Sequence, residues 1–483
     1  MNRAGHLDYK WKSLIVGSGY IGGATIERVS WPLLLPTIRD AFHVPTAEVV
    51  WLVVMFALGV AGSTLTVGHL GDKLGHKRLA IIGCTLEGSL LLVNACMPVF
   101  WPMLPIRLIQ GVGAAMALNN IQALTVSSWA REERGRVLGF ISAMPSMGMM
   151  IGTLYAGFVA DATSWRVAIA GGGLIILSEA LFLHLYIRDD EPLKEPVRRV
   201  LRNLDWAGSL ALVAAIATLI LGARFATTAS LRPLAGVLLP LAVLGFVMVI
   251  VIEKRSSNPV LNLQLFTRRT FAVACSGMVL FSVVAGANTF LFPFYLQKGL
   301  LWSIAFSGTV MIALNVVQPV GAPVSGWLAD RSGARPVQLA GVAAVVAGLL
   351  LSSQLGAGPT TLSVVIVLLV LSLGSSLFNP ANNRTIYNEV PPNALATASA
   401  ISASGRYVGT SLGAALGAAL LAGYGDANIP HAFSAIMLVL AALMLVGITL
   451  IIVADSVIAR TRGRRHPALA LEPDPEPAPS LGP

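Results

Sequence analysis

The sequence predicts an all-α, polytopic membrane protein: two six-helix bundles with two extra helices between them. Three observations predict it. Of the 483 residues, 55% are hydrophobic and only 12% are charged, whereas ordinary soluble domains carry about 25% charged residues. A chain this long without a polar skin has lipid as its main solvent. Apolar runs of about 20 residues, the length that crosses a bilayer, recur from end to end. The segments between them alternate in basic content, as loops on opposite sides of a membrane do.

Residues 1–12 form a polar N-terminus. No small-residue cleavage site follows, so the first helix is expected to remain. Six spans centred near 25, 57, 89, 114, 147 and 177 make an N-terminal bundle over 13–187. A charged linker occupies 188–205, and two additional spans near 214 and 242 fill 206–255. A second linker, 256–269, leads to a C-terminal bundle over 270–455, with spans near 283, 317, 347, 372, 409 and 443. The tail, 456–483, is basic and then rich in Pro and acids. That composition cannot bury enough apolar surface to fold.

With the N-terminus in the cytoplasm, the outer segments hold only Arg39, Arg166, Arg224, Arg232 and Lys298. Arg28, Arg107 and Arg406 lie within spans, and the other 25 of the 33 Lys and Arg fall inside. Both termini are therefore expected to be cytoplasmic. The net charge of +10 is spread over many short loops and needs no nucleic-acid partner. Cys84, Cys96 and Cys275 show neither metal-ligand nor disulfide spacing and read as buried packing residues. No cofactor or metal is expected, and no nucleophile–base constellation or phosphate loop points to an enzyme or to ATP drive.

The chain is duplicated. "GHLGDKLGHKR" at 68–78 and "GWLADRSGARP" at 326–336 share G-x-L-x-D-[KR]-x-G, and each follows the second helix of a six-helix group, 258 residues apart. Gly68, Gly75, Gly326 and Gly333 allow tight turns and close helix approach. Asp72 and Asp330, with Lys77, Arg78 and Arg331 nearby, can cap a helix or pair across the loop. Such contacts are modest and breakable, which suits a conformational latch. Duplicated halves around a midplane site are an arrangement used by secondary transporters.

These motifs, with "RLIQGVGAA" from Arg107, "SWR" at 164–166, "PFYLQ" at 293–297 and "SGRYVGTSLGAALG" from Ser404, resemble the major facilitator superfamily. More narrowly, they resemble its fourteen-helix drug:proton antiporter branch. The resemblance covers about residues 13–455. It implies a proton-coupled carrier working by alternating access, with the helix-1 acid nine residues before Pro36, Glu27, as the proton carrier. The family's usual residue there is Asp. In helix 5 the glycines Gly148, Gly152 and Gly157 match the family's antiporter signature. Thr153 replaces its proline and Ala156 one of its glycines, which keeps a close-packing surface and removes the kink residue. Pro32 stands where the branch usually has a polar residue.

Charges inside a bilayer are costly and usually functional. Glu27 is expected to be a lone carboxylate that changes ionisation as two bundles rock; a permanent ion pair with Arg28 or Arg107 is the structural alternative. Glu27 and Arg28 point about 100° apart and cannot share one helix face. The resemblance implies that Arg107 couples protonation to the conformational switch. Glu87 and Glu179 are either second protonation sites or neutral buried acids with a partner. Trp31, Gln110, Asn119, Asn120, Asn288, Asn315, Asn379, Asn382, Asn383 and Arg406 are candidate cavity residues. For the paired asparagines, hydrogen bonding between helices is the competing role. The expected partners are a small-molecule substrate, protons and the bilayer, with the chain acting as a monomer in a plasma membrane. A metabolite or lipid carrier of the same fold, possibly an importer, is the alternative; a non-transporting scaffold has nothing in its favour.

Overall fold

The computed structural model describes residues 9–129, 133–188, 206–226, 232–255, 263–390, 395–424 and 428–465. Within them the chain is helical, with no strand. The first long helices are α1 (Tyr9–Phe42), α2 (Trp51–Leu74), α3 (His76–Cys96), α4 (Met103–Ser127), α5 (Arg134–Ala162) and α6 (Trp165–Tyr186). Next come α7 (Trp206–Ala226) and α8 (Arg232–Arg255). The last six are α9 (Arg269–Phe294), α10 (Ile304–Ser332, interrupted at Ile312 and Val317), α11 (Ala334–Ser352), α12 (Thr361–Asn388), α13 (Leu395–Tyr424) and α14 (Ile429–Arg465).

Among the described residues, ten helical stretches are long and apolar enough to cross a membrane. The helices α1, α4, α7 and α8 are not among the ten, though α8 keeps a shorter apolar stretch over Pro233–Val249. Polar residues are the reason in two cases. Glu27 and Arg28 interrupt α1, and Arg107, Gln110, Asn119 and Asn120 interrupt α4.

In the first half α1 packs on α5, α2 on α4, and α3 on both α4 and α6. In the second half α9 packs on α13, α11 on α12, and α14 on α9 and α11. The halves meet along α2–α13 and α5–α10, while α7 lies against both α2 and α13 with α8 outside it. The duplication is visible in the backbone. Gly75 ends α2 at φ +96° and Gly333 ends α10 at φ +84°. Only glycine adopts such angles without strain, so the matched glycines fix matched turns. A second pair at the same offset, Gly83 and Gly341, seats α3 on α4 and α11 on α12. A Cβ would come 2.5 Å from the Ala117 nitrogen in one case and 2.7 Å from the Phe378 nitrogen in the other.

The halves close against each other at one end. Gln297 Nε2 donates to the Leu33 carbonyl at 2.8 Å, Lys298 pairs with Asp40, and Gly157 and Gly308 bring α5 and α10 into backbone contact.

Two expectations are corrected. The helix α14 continues to Arg465, ten residues past the expected boundary at 455. Cys96 is exposed, whereas Cys84 and Cys275 are buried; it is the last residue of α3. The linker residues 189–205, the linker residues 256–262 and the tail from 466 lie outside the described residues.

Candidate functional site

Glu27 sits near the middle of α1, and Trp31 lies one turn further on the same face, as i, i+4 spacing requires. The Trp31 indole Nε1 donates to Glu27 Oε1 at 2.7 Å. From α4, Arg107 Nη1 and Gln110 Nε2 each donate to the same oxygen at 3.0 Å. Arg107 Nη1 also reaches Gln110 Oε1 at 2.9 Å, and Arg107 Nε donates to the Leu52 carbonyl of α2 at 2.9 Å. The guanidinium is stacked between aromatic rings, 4.0 Å from the Trp31 centroid and 4.5 Å from that of Phe56. Cation–π contact of this kind is strongest when desolvated. Glu27 is 2% exposed and Arg107 1%. The arrangement is lopsided: Oε1 accepts three donors and Oε2 has none.

The expectation of a lone carboxylate facing a vestibule is therefore corrected. Glu27 is held in a closed ion pair with Arg107. The physical reason is that one desolvated charge is affordable only beside its opposite. Trp31 and Gln110 belong to this cluster rather than lining a cavity. Arg28 points elsewhere, as the 100° step between neighbours requires, and lies within electrostatic range of Tyr20, Glu87 and Tyr407.

Glu87 and Glu179 are also buried. Glu87 Oε2 accepts the Tyr20 hydroxyl at 2.8 Å. Glu179 lies beside Gly19, where a Cβ would come 2.6 Å from its Oε1. Tyr20 is absent from the expected set, because a tyrosine in an apolar span is unremarkable by itself. Its spacing of seven from Glu27 was the usable signal, since it places both on one stripe of α1.

Three of the asparagines expected in a cavity serve helix geometry. Asn119 Nδ2 donates to the Thr64 carbonyl at 2.9 Å, tying α4 to α2. Asn120 Nδ2 bonds the Met116 carbonyl, and its Oδ1 lies 2.8 Å from His76 Nδ1. Asn382 Nδ2 donates to the Ala274 carbonyl at 3.2 Å, tying α12 to α9. Asn288 and Asn315 are buried, Asn379 and Asn383 half-buried, and Arg406 exposed.

Of the latch residues, Asp330 pairs with Arg384 of α12 at 2.5 Å on an exposed surface. Arg331 stacks over Trp327 of its own helix at 4.0 Å, and Gly326 is half-buried behind them. Lys77 differs from an exposed, breakable contact. It is 5% exposed and donates to the His184 and Ile187 carbonyls, capping the C-terminus of α6. Arg78 is exposed at the start of α3. Gly68 and Asp72 fall in α2, and their surroundings lie outside what is described. The helix-5 glycines act as packing predicts: Gly148 and Gly152 seat α5 on α1, with Cβ positions 2.6 Å from the Gly22 carbonyl oxygen and 2.7 Å from Ile26 Cα. Gly157 faces α10 across the two halves. The SWR stretch is structural too: Ser164 caps α6, and Arg166 Nη1 bonds the Ala95 and Met97 carbonyls at 2.8 and 2.7 Å.

A bundle of lipid-exposed apolar helices, repeated at a fixed offset and holding buried charge between its helices, is the architecture of a multi-pass membrane carrier. The chain belongs to the Major Facilitator Superfamily, whose sequence profile matches residues 16–206 and 271–479. It is a membrane transporter of that superfamily. The riboflavin transporter RibZ of Clostridioides difficile is 24% identical over 84% of this chain and 86% of its own. The multidrug resistance protein Stp of Mycobacterium tuberculosis (strain CDC 1551 / Oshkosh) is 26% identical over 83% of this chain and 74% of its own. A crystal structure of a bacterial homologue of the human lysosomal transporter Spinster, inward-facing and unoccupied, superposes with a TM-score of 0.69. It covers 94% of this chain and 99% of that one at 12% identity, a likeness of fold.

Proposed function

We propose that the protein is a proton-coupled exporter of small amphipathic compounds, of the fourteen-helix drug:proton antiporter type. It acts as a monomer in a plasma membrane, with both termini cytoplasmic. On this reading all of α1 to α14 cross the bilayer, and the bundles over 13–187 and 270–455 rock about the α2–α13 and α5–α10 contacts. The carrying observation is the lopsided solvation of Glu27. Three donors converge on Oε1, whereas Oε2 is buried without a partner. Ionised, the carboxylate holds Arg107 and ties α1 to α4. Protonated on Oε2, it has less hold on the guanidinium, and that tie weakens. A proton then shifts a two-state equilibrium by its differential affinity for the two states.

The likeness to Stp favours drug-like cargo. The likeness to RibZ, together with Thr153 at the family's proline position, favours a metabolite carrier as the second reading. Thr153 keeps the backbone N–H that a proline lacks, so α5 runs unbroken through it from Arg134 to Ala162; its hydroxyl bonds back to the Met149 and Met150 carbonyls at 3.1 and 3.0 Å.

The test uses purified protein in liposomes with an imposed pH gradient and a compound panel that includes ethidium and riboflavin. Glu27→Gln is expected to abolish gradient-driven accumulation while leaving equilibrium binding largely intact. Undiminished accumulation by that variant would remove Glu27 from the coupling step.

A further inference from the structure

Among the described residues, Glu27 is one of three carboxylates buried in the N-terminal half, and each keeps one oxygen without a hydrogen-bond partner: Glu27 Oε2, Glu87 Oε1 and Glu179 Oε2. Glu27 is matched by Arg107. Glu87, on α3, is 0% exposed. Its Oε2 accepts from the Tyr20 hydroxyl at 2.8 Å, and that hydroxyl also lies 3.3 Å from the Ala114 carbonyl. The guanidinium of Arg28 is within electrostatic range of Glu87, yet its Nε and Nη2 are buried with no partner. An ionised carboxylate beside unused guanidinium donors takes them up, because both an unpaired buried charge and an unmade buried hydrogen bond are expensive. Two groups that stay apart, one with an open oxygen and one with open N–H bonds, have the arrangement of a protonated acid beside a waiting cation.

We propose that Glu87 is a second proton-binding carboxyl, distinct from the Glu27–Arg107 pair, and that Arg28 receives it when it ionises. The proton occupies Oε1. On its departure Oε1 carries the charge and accepts from Arg28, while Oε2 keeps the Tyr20 hydroxyl. The charged and titratable groups around it are Tyr20, Glu27 and Arg28 from α1, Cys84 on α3 itself and Arg107 from α4, with Glu179 of α6 in electrostatic range of Cys84 and Tyr407 of α13 in range of Arg28. A carboxyl needed only to hold Tyr20 could be replaced by an amide, whose carbonyl accepts the same bond. Glutamine therefore separates a structural role from a protonic one.

The inference deepens the proton-coupled reading and rests on it for its physiological meaning, but its test needs no substrate. pH-difference infrared spectra of the purified full-length chain are expected to show a buried carboxylic C=O band that disappears on alkaline titration. Glu87→Gln should lose that band, whereas Glu27→Gln and Glu179→Gln should keep it. Tyr20→Phe should keep the Glu87 band but shift it, because the bond to Oε2 is gone; this variant also serves if Glu87→Gln fails to fold. A Glu87→Gln spectrum indistinguishable from wild type, or a Tyr20→Phe spectrum with no shifted band, overturns the proposal. Failure of the transport test on Glu27 would leave the Glu87 band in place, so the two failures are distinguishable.

Discussion

At the scale of single residues, the site is governed by the cost of leaving a charge alone in a dry interior. Arg107 serves three helices at once: the Leu52 carbonyl of α2, Glu27 of α1 and Gln110 of its own α4. Arg107→Met removes one partner of a buried pair and strands Glu27. The expected loss is about 3–5 kcal/mol, read as a fall in thermal midpoint of the purified protein. Arg107→Lys keeps the charge but cannot reproduce a planar fork that bonds two directions and stacks on Trp31 and Phe56, so it should also melt early and transport poorly. The double variant Glu27→Gln, Arg107→Met should recover part of that stability, since no lone charge remains. A double variant no more stable than Arg107→Met would show that the aromatic and backbone contacts, rather than the charge pair, carry the effect. Glu27, Arg107, Gln110 and Trp31 were each legible in the sequence as polar or bulky residues within spans. Their convergence on one carboxylate oxygen was not, because it depends on the register between α1 and α4, which spacing along one helix does not encode. The asparagines illustrate the converse. Their pairing in corresponding halves was legible, but whether an amide bonds a neighbouring carbonyl or faces a cavity is decided by the rotation of its helix.

At the scale of helices, glycines decide where elements can touch. A Cβ at Gly148 would come 2.6 Å from the Gly22 carbonyl oxygen, a backbone atom that cannot swing away. Gly148→Val therefore has to push α5 off α1, an overpacking cost of about 1–3 kcal/mol. A control lies on the facing helix: nothing stands within 4 Å of a Cβ at Gly22. Gly22→Ala should be neutral or stabilising by about 0.4–1 kcal/mol. Differential scanning fluorimetry of the two variants checks both signs, and equal destabilisation would refute this view of the α1–α5 contact. The packing role of the helix-5 glycines could be read from their spacing. The division of labour among them could not: Gly148 and Gly152 hold the half together, whereas Gly157 meets the other half. The duplicated loops show the same limit. Gly75 and Gly333 were legible as turn formers because only backbone geometry is asked of them. Lys77 was legible as a member of the loop expected to act as a latch, but not as the residue that caps α6, because capping by a residue of α3 is a tertiary event.

At the scale of the whole molecule, the alternating access proposed above requires the chain to open an end that the structure holds closed. The all-helical class and the repeat were legible, since both follow from hydropathy and a fixed offset. Which end is shut was not, because it depends on contacts between the halves, such as Gln297 on the Leu33 carbonyl, that hydropathy and repeat offset do not encode. The closed end is held by Gln297 on the Leu33 carbonyl, by the Lys298–Asp40 pair, and by the glycine contacts of α5 with α10. Lys298 and Asp40 are partly exposed, and an exposed pair contributes at most about 1 kcal/mol, so opening is opposed mainly by the packed backbones. Asp40→Asn alone should therefore change turnover only slightly. A covalent tie at the same place should be decisive. In a background where the exposed Cys96 is replaced by Ser, Asp40→Cys with Lys298→Cys offers two accessible thiols, while Cys84 and Cys275 stay buried. Linking them with a short, reducible bifunctional reagent should stop gradient-driven transport, and reduction should restore it. Either single-cysteine variant treated with the same reagent should keep its activity. If the cross-linked protein continues to transport at the uncross-linked rate, the closed end does not open during turnover, and rocking about the α2–α13 and α5–α10 contacts is the wrong motion.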